Sequence, residues 1–576
     1  MRKATGFAAL SIAILFGTGS PASAWTPPIG IPDPGFGITD TAGATTYYVN
    51  NAVACNDANN AGHGSSGSPR CTIPTTITAD DVVEVHGGPY IYNTAGPYAF
   101  IASGTAGHMA FVRGIDDGAG APWIVGPALQ STGIDGRTFR MYGSYYIIEG
   151  FRFGNGTTLA PMIGGDHGVF RNNEIVNFQP PYLNPPTDLR QTSAAMQLDI
   201  LPDSAHGSDH MLIYNNHIHH NGNYLATVDS KVHGIKFSVY DANAADQPFG
   251  GGSYIWILNN EIDHNGGGAL QFGDDSVLAP TTQWTRFIYV GFNHMHHDRE
   301  GGGGSKAAHD IIFSQNDIGP YLPLPVGSFQ PATSTNLIVG KNGAHNNWAL
   351  FNTIHDGIIG LRTNNNVPDR PHDVTLANIY MIGNLVTGMH SANYNATQTA
   401  GEGACVEGFG STVKTYVVDN TMINCDMGVN FDSVGYFEVT GNLLKGVGDP
   451  MAYVPTAWGT NKYDYNFYDA TARLAYSSMT PIISLATMQG HGQETHSRQG
   501  SALLDSKYKP GSGSPVVDVS VRSAVYDTFF SLYGINIAKD IQGATRPQGL
   551  AWDIGAYELG SQTGSPPPPP SGLVVR

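Results

Sequence analysis

Met211-Leu-Ile-Tyr-Asn-Asn-His-Ile-His-His-Asn-Gly222 and Tyr254-Ile-Trp-Ile-Leu-Asn-Asn-Glu-Ile-Asp-His-Asn-Gly266 are two statements of one phrase. An alternating apolar strand runs into one or two Asn, a second short strand follows, and a His, Asp or Asn with Gly closes the unit. The phrase also stands at Val169–Asn177, Ile288–Asn293, Ile311–Asn316, Trp348–Asn352, Tyr380–Asn384, Tyr416–Asn420 and Phe437–Asn442. Its spacing varies from roughly 20 to 45 residues, which excludes helical arrays of fixed period and suits a β-solenoid whose coils keep their strands and vary their loops. Each bend Asn is expected to take a left-handed conformation and to hydrogen-bond its equivalents above and below. The predicted ladder runs through Asn173, Asn216, Asn260, Asn293, Asn316, Asn352, Asn384, Asn420 and Asn442.

The histidines beside the ladder, His217, His219, His220, His264, His294, His296 and His297, suggest a metal site. They recur at equivalent repeat positions, so stacked side chains and turn residues are the simpler reading.

These repeats resemble the right-handed parallel β-helix superfamily that includes pectate lyases, alginate lyases and chondroitinase B. Two flanks resemble it too. Thr46-Tyr-Tyr-Val-Asn50 with Ala79–Tyr90 looks like the entry to the first coils, and Asp553-Ile-Gly-Ala-Tyr-Glu558 like a closing motif of bacterial members. The predicted class is all-β, a right-handed parallel β-helix (solenoid) with an internal Asn ladder. The superfamily also holds hydrolases, epimerases and proteins without known activity, so the fold alone names no reaction.

The termini and composition set the surroundings. Met1-Arg-Lys3, an apolar run from Phe7 to Phe16 and the exit Pro21-Ala-Ser-Ala24 read as a secretory signal cleaved after Ala24. No later stretch is long and apolar enough for a membrane anchor. The four cysteines fall into two local pairs, Cys55 with Cys71 and Cys405 with Cys425, which in an oxidising compartment predicts two disulfides. Neither pair has the short spacing of a structural zinc site. The expected organisation is a signal at 1–24, an N-terminal cap and first coils at 25–100, the β-helix at 101–449, a loop-rich cap at 450–560 and a Pro-rich tail at 561–576. A formal charge of -18 argues against nucleic acid as partner, because phosphate contacts need a basic face. The expected partner is an extracellular polysaccharide, met by a secreted monomer.

Alternation then selects the side chains that can meet a glycan, since apolar residues turn inward and their neighbours turn out. In His233–Tyr240 the outward residues include Lys236 and Tyr240; in Gly268–Asp275 they are Gln271 and Asp275. The short coil Gly301–Ala308 has one long side chain, Lys306, and Ile359–Thr363 sends Arg362 outward. Later strands add Glu407, Asn430 and Asp432. Lys236, Gln271, Lys306 and Arg362 are expected to form one column.

Such a column suits β-elimination on a uronate, which needs a cation to neutralise the carboxylate, a base for the neighbouring proton and an acid at the leaving oxygen. β-Helix alginate lyases and chondroitinase B use Lys and Arg in this way, often with calcium, and the resemblance implies the same here. Lys306 is the candidate base, Arg362 the acid or carboxylate clamp and Lys236 a rival base. Gln271, Tyr240, Glu407 and Asn430 are candidate substrate contacts. Asp274, Asp275, Asp298 and Glu300 are candidate calcium ligands. A glycoside hydrolase would instead need two carboxyl groups, for which Glu407 and Asp432 on adjacent coils are candidates. A non-catalytic glycan-binding solenoid or adhesin is the third possibility.

Overall fold

The computed structural model describes residues 25–91, 99–125, 139–154, 161–178, 194–198, 208–225, 232–237, 252–273, 285–321, 335–341, 343–364, 377–393, 403–409, 413–432, 436–452, 461–469, 474–477 and 480–560. Its strands form two sheets, of 28 and 14 strands. The larger is two faces joined through Arg140–Glu149, whose first half pairs with Met162–Ile163 and whose second half pairs with Asp166–Arg171. Each coil therefore lays one strand on each of three faces, here sheets I, II and III. One coil supplies His233–Phe237, Ser253–Leu258 and Glu261–Asp263, and the next supplies Leu270–Phe272, Arg286–Gly291 and His294–His296. Like stacks on like in parallel register: Ile235 on Leu270, Ile257 on Val290, Ile262 on Met295. All six are buried in one continuous interior core. This is the right-handed parallel β-helix that the repeats predict, the hand being that of parallel crossover connections.

The ladder is present through all nine expected positions. Asn316 shows the pattern: its Nδ2 donates to Asn352 Oδ1 (2.9 Å), and its Oδ1 accepts from the backbone N and the Nδ2 of Asn293 (both 3.0 Å). The stack continues one rung further, to Asn466, which accepts from Asn442. The backbone corrects one detail. The left-handed residue is the one before each ladder Asn: Asn172, Asn215, Asn259, Phe292, Gln315 and Phe351 all have φ near 55°. Turning the chain and bridging the rungs are thus separate jobs, and even Phe accepts the turn, at a cost of about 1–2 kcal/mol. A second, shorter ladder at the next bend joins Phe178, Asn221, Asn265 and Asp298.

The coils begin at Tyr47–Asn50, paired with Val82–His86, and continue past 449. Lys462–Asp464 stacks on Glu438–Thr440, and Arg498–Gln499 on Phe467–Tyr468. The expected boundary at 449 therefore cuts through rungs, because the last ones carry weaker copies of the phrase. Both expected disulfides are formed, Cys55–Cys71 and Cys405–Cys425. The signal and the Pro-rich tail lie outside the described residues. Among those described, no helix is long and apolar enough to cross a membrane.

The chain's ends decide which faces stay open. Residues 29–38 lie along sheet II, where Trp256 Nε1 donates to Pro32 O (2.8 Å) and Ile29 N to Gln315 Oε1 (2.7 Å). Gly37 has φ of 77°, and a Cβ there would stand 2.5 Å from Val169 Cγ2, so only glycine allows this approach. The helix Val525–Tyr533 covers more of the same sheet, setting Phe529 edge-on against Trp348. Ala502, Val516 and Ile554 cover the last rungs of sheet III through Leu385, Ile423, Leu443 and Phe467. The closing motif is a clasp. Arg546 lies between Asp419 and Glu558, both at 3.7 Å, and Ala556 N donates to Thr421 Oγ1 (2.9 Å).

Candidate functional site

On sheet I, register places Gln197, Lys236, Gln271, Gly304, Ile338, Arg362, Glu407 and Asn430 opposite one another in turn. Their strand neighbours Ile235, Phe237, Leu270, Phe272, Leu361 and Val429 fill the core, so alternation sends the polar set to the outer surface of the sheet. Four of the expected residues, Lys236, Gln271, Arg362 and Glu407, thus share one column with Asn430. The column is not the solvated row that alternation alone suggests: Lys236, Arg362 and Glu407 are 5%, 8% and 2% exposed. Arg362 Nε lies 2.9 Å from Glu407 Oε2. Such a pair holds its partners firmly, since removing one member leaves a buried charge, at about 3–5 kcal/mol.

Lys306 occupies a different place from the one expected. Gly304 takes its position in the column, and Lys306 lies two residues further along the strand, opposite Lys341, which in turn faces Asn364. Regular pairing with Leu270–Phe272 sets Gly304, not Lys306, opposite Gln271, and on the other side the register of Thr335–Lys341 slips after Ile338 by one extra residue, which brings Lys341 rather than Gly340 opposite Lys306. The result is a second column, Lys306, Lys341 and Asn364, about 7 Å from the first. Lys341 lies in the stretch Asn336–Asn342, whose parity the sequence leaves open, and the extra residue after Ile338 is why alternation could not be read there.

The glycines at 301–304 are explained by the backbone. A Cβ on Gly301 would lie 2.0 Å from Thr335 O, and one on Gly303 2.1 Å from Leu270 O, so rung-to-rung approach and not a ligand requires them.

Of the expected calcium ligands, Asp298 and Glu300 lie among the described residues. Asp298 points into the second ladder, where its Oδ1 accepts from the backbone N and the Nδ2 of Asn265 (2.9 and 2.8 Å). Complete burial pushes its carboxyl well above the usual carboxylate range. Glu300 lies half-buried on the turn two residues on. Tyr240, Asp274 and Asp275 lie outside the described residues. Asp432 stands opposite Phe409 and Glu407 opposite Asn430, so the two candidate hydrolase acids stand on adjacent rungs, two residues apart along the strand.

The histidines divide. His220, His264 and His297 occupy left-handed turn positions and stack with ring centroids 4.7 and 5.0 Å apart, as the turn reading expects. His217, His219, His294 and His296 stand on strands of sheet III.

No family profile matches the chain, and no curated protein matches it in sequence. Among solved structures, pectate lyase Pel9A is 12% identical over 89% of this chain and 97% of its own, with a TM-score of 0.39. The alginate lyase AlyF-OU02, in complex with G6, is 11% identical over 84% and 94%, with a TM-score of 0.40. The GH136 lacto-N-biosidase from Eubacterium ramulus is 11% identical over 79% and 67%, with a TM-score of 0.35. At these identities and scores the likenesses carry no statement about the reaction of this chain.

Proposed function

We propose that this protein is a secreted polysaccharide lyase that cleaves a uronate-containing glycan by β-elimination on sheet I. One observation carries the reading: Lys236, Lys306, Lys341 and Arg362 gather on a single face of a chain whose net charge is -18. A cationic strip built against the overall charge is what an anionic polymer requires. Lys306 and Lys341 stand on adjacent rungs, about 4.8 Å apart, with Arg362 on the rung after. In this assignment Lys341 and Arg362 neutralise the uronate carboxylate, which acidifies the proton beside it; Lys306 removes that proton, the C4–O glycosidic bond breaks as the C4–C5 double bond forms, and the departing oxygen takes its proton from the Lys306 ammonium so formed or from water. Glu407 fixes the Arg362 guanidinium. Lys236, Gln271 and Asn430 extend the binding strip along the polymer. Calcium has no assigned place in the reading.

The test is incubation of the mature protein with alginate, pectate, glycosaminoglycans and neutral glycans, following the ultraviolet absorbance of unsaturated uronate together with reducing ends. A lyase raises both signals, a hydrolase only the second, and a binding protein neither. On the active substrate, Lys306→Ala should lower turnover by about two to four orders of magnitude with folding intact. Near-normal turnover would remove Lys306 as the base.

A further inference from the structure

Three consecutive rungs of sheet III read His217-Ile-His219, Glu261-Ile-Asp263 and His294-Met-His296. The central Ile218, Ile262 and Met295 are fully buried, so alternation puts both flanking residues of each rung on the outer face. Register sets Glu261 between His217 and His294, and Asp263 between His219 and His296. A carboxylate rung is therefore held between two imidazole rungs, on a part of sheet III that the chain's ends leave open. This face is separate from the sheet I columns.

Within the array, ligand-capable atoms of Glu261, His294 and His296 all lie within 4.8 Å of one another. His217, Glu261 and Asp263 form an overlapping group, but both oxygens of Asp263 are already engaged, one by His217 Nε2 (2.7 Å) and the other by His264 Nδ1 (2.6 Å). The first group has the more suitable arrangement. His296 Nδ1 lies 2.7 Å from His297 Nδ1, a distance at which one proton is shared, while its Nε2 faces Glu261 Oε1 at 3.5 Å. With the shared proton on His296 Nδ1, the Nε2 lone pair and a carboxylate oxygen face each other. A proton or a cation between them removes that repulsion. Two ligands about 2.1 Å from a tetrahedral ion stand about 3.4 Å apart, close to the spacing seen. A ligating His whose other ring nitrogen is held by a neighbour is the usual supporting arrangement.

We propose that Glu261, His294 and His296 bind a divalent transition-metal ion of the zinc class. Two imidazole nitrogens and one carboxylate oxygen suit zinc, whereas calcium takes six to eight oxygens. The His294 side chain is 47% exposed, which gives the ion a way in and leaves a coordination position to water. The ion ties two successive coils together and takes no part in chemistry on sheet I.

The test is calorimetric titration of the metal-stripped, full-length protein with zinc chloride, alongside the visible spectrum of the cobalt(II) form. One site of micromolar or tighter affinity and an intense tetrahedral cobalt band are expected. His294→Ala and His296→Ala should each weaken zinc binding by more than about tenfold, because each removes a direct ligand and loss of supporting residues alone costs that much. His217→Ala should stay near the parent, and calcium should produce no competition. No saturable zinc uptake, or a weak octahedral cobalt spectrum in the unmutated protein, overturns the proposal without relying on any variant. Parent-like binding in both His294→Ala and His296→Ala overturns it too.

Discussion

Replacing Asn316 by Leu tests the ladder where it is most complete. Asn316 is 1% exposed and sits mid-stack. Its Nδ2 donates to Val290 O (3.0 Å) and Asn352 Oδ1 (2.9 Å), and its Oδ1 accepts from Asn293 N and Nδ2 (both 3.0 Å). Leu removes all four bonds, but not every partner is stranded. Asn352 Oδ1 keeps the bond from the Asn316 backbone, and Asn293 Nδ2 still donates to Ile257 O and Gly291 O. Val290 O keeps its place in the strand pairing with Phe313, so the Asn293 backbone N–H is the group left without its bond, and at about 1–3 kcal/mol for a buried group left unsatisfied the loss is about 1–3 kcal/mol. Because coils contact only their neighbours, the effect should be local. Hydrogen exchange should therefore accelerate most at the rungs carrying Asn293, Asn316 and Asn352, with a smaller change at Asn173 and Asn442. A loss below about 1 kcal/mol, or uniform acceleration along the solenoid, would show that the side-chain ladder does not hold the rungs together.

Glu494 gives a pH prediction. Burial pushes its carboxyl up from 4.5 to about 7, although Ser497, Tyr468 and Asn466 donate to it. Below pH 4.5 folded and unfolded chains both hold the proton; above it the unfolded chain releases the proton first, so stability falls until about pH 7 and then levels off. The fall is about 3 kcal/mol, and denaturant midpoints at pH 5 and 8 should show a distinctly shallower slope in Glu494→Gln; an unchanged slope refutes the assignment. Arg546→Met leaves Asp419 and Glu558 buried without their cation, which should cost about 3–5 kcal/mol and release residues 500–559 early in limited proteolysis, and resistance equal to the parent would refute the clasp.

The repeats were legible because each coil must do the same things: bury alternate side chains, turn, and satisfy the polar atoms at the turn. Those demands write Asn316 and its equivalents into the sequence at matching places. They do not distinguish the residue that turns the chain from the one that bridges rungs. Adjacent Asn residues such as Asn215 and Asn216 satisfy both descriptions, and it is residues such as Phe292, Gln315 and Phe351 before their ladder Asn that betray the division. The clasp was legible as a motif, but Arg546, which lies outside it, was not. The helix Val525–Tyr533 buries only Val525, Tyr526 and Phe529, too short an apolar stripe to stand out.

The placement of Lys306 shows where alternation stops being informative. Parity predicts the side of the sheet on which a residue stands, and Lys306 does stand outside, next to the buried Ser305. Position along the strand depends instead on counting residues from a shared landmark, and Gly301–Gly304 offers none because glycine has no side-chain direction to read. Regular register puts Gly304 and Ile338 in the middle of the first column, and one extra residue after Ile338 then moves Lys341 beside Lys306. The cations are consequently split between two columns and do not form a single file. That split has a chemical meaning for the lyase reading. A single file holds charges only along the polymer, whereas two columns about 7 Å apart give the site width, with Lys306 and Lys341 on one side of a sugar ring and Arg362, held by Glu407, on the other. Base and carboxylate clamp must approach one uronate from different directions, and in this reading Arg362 reaches the carboxylate from the other column while the irregular rung adds Lys341 beside Lys306.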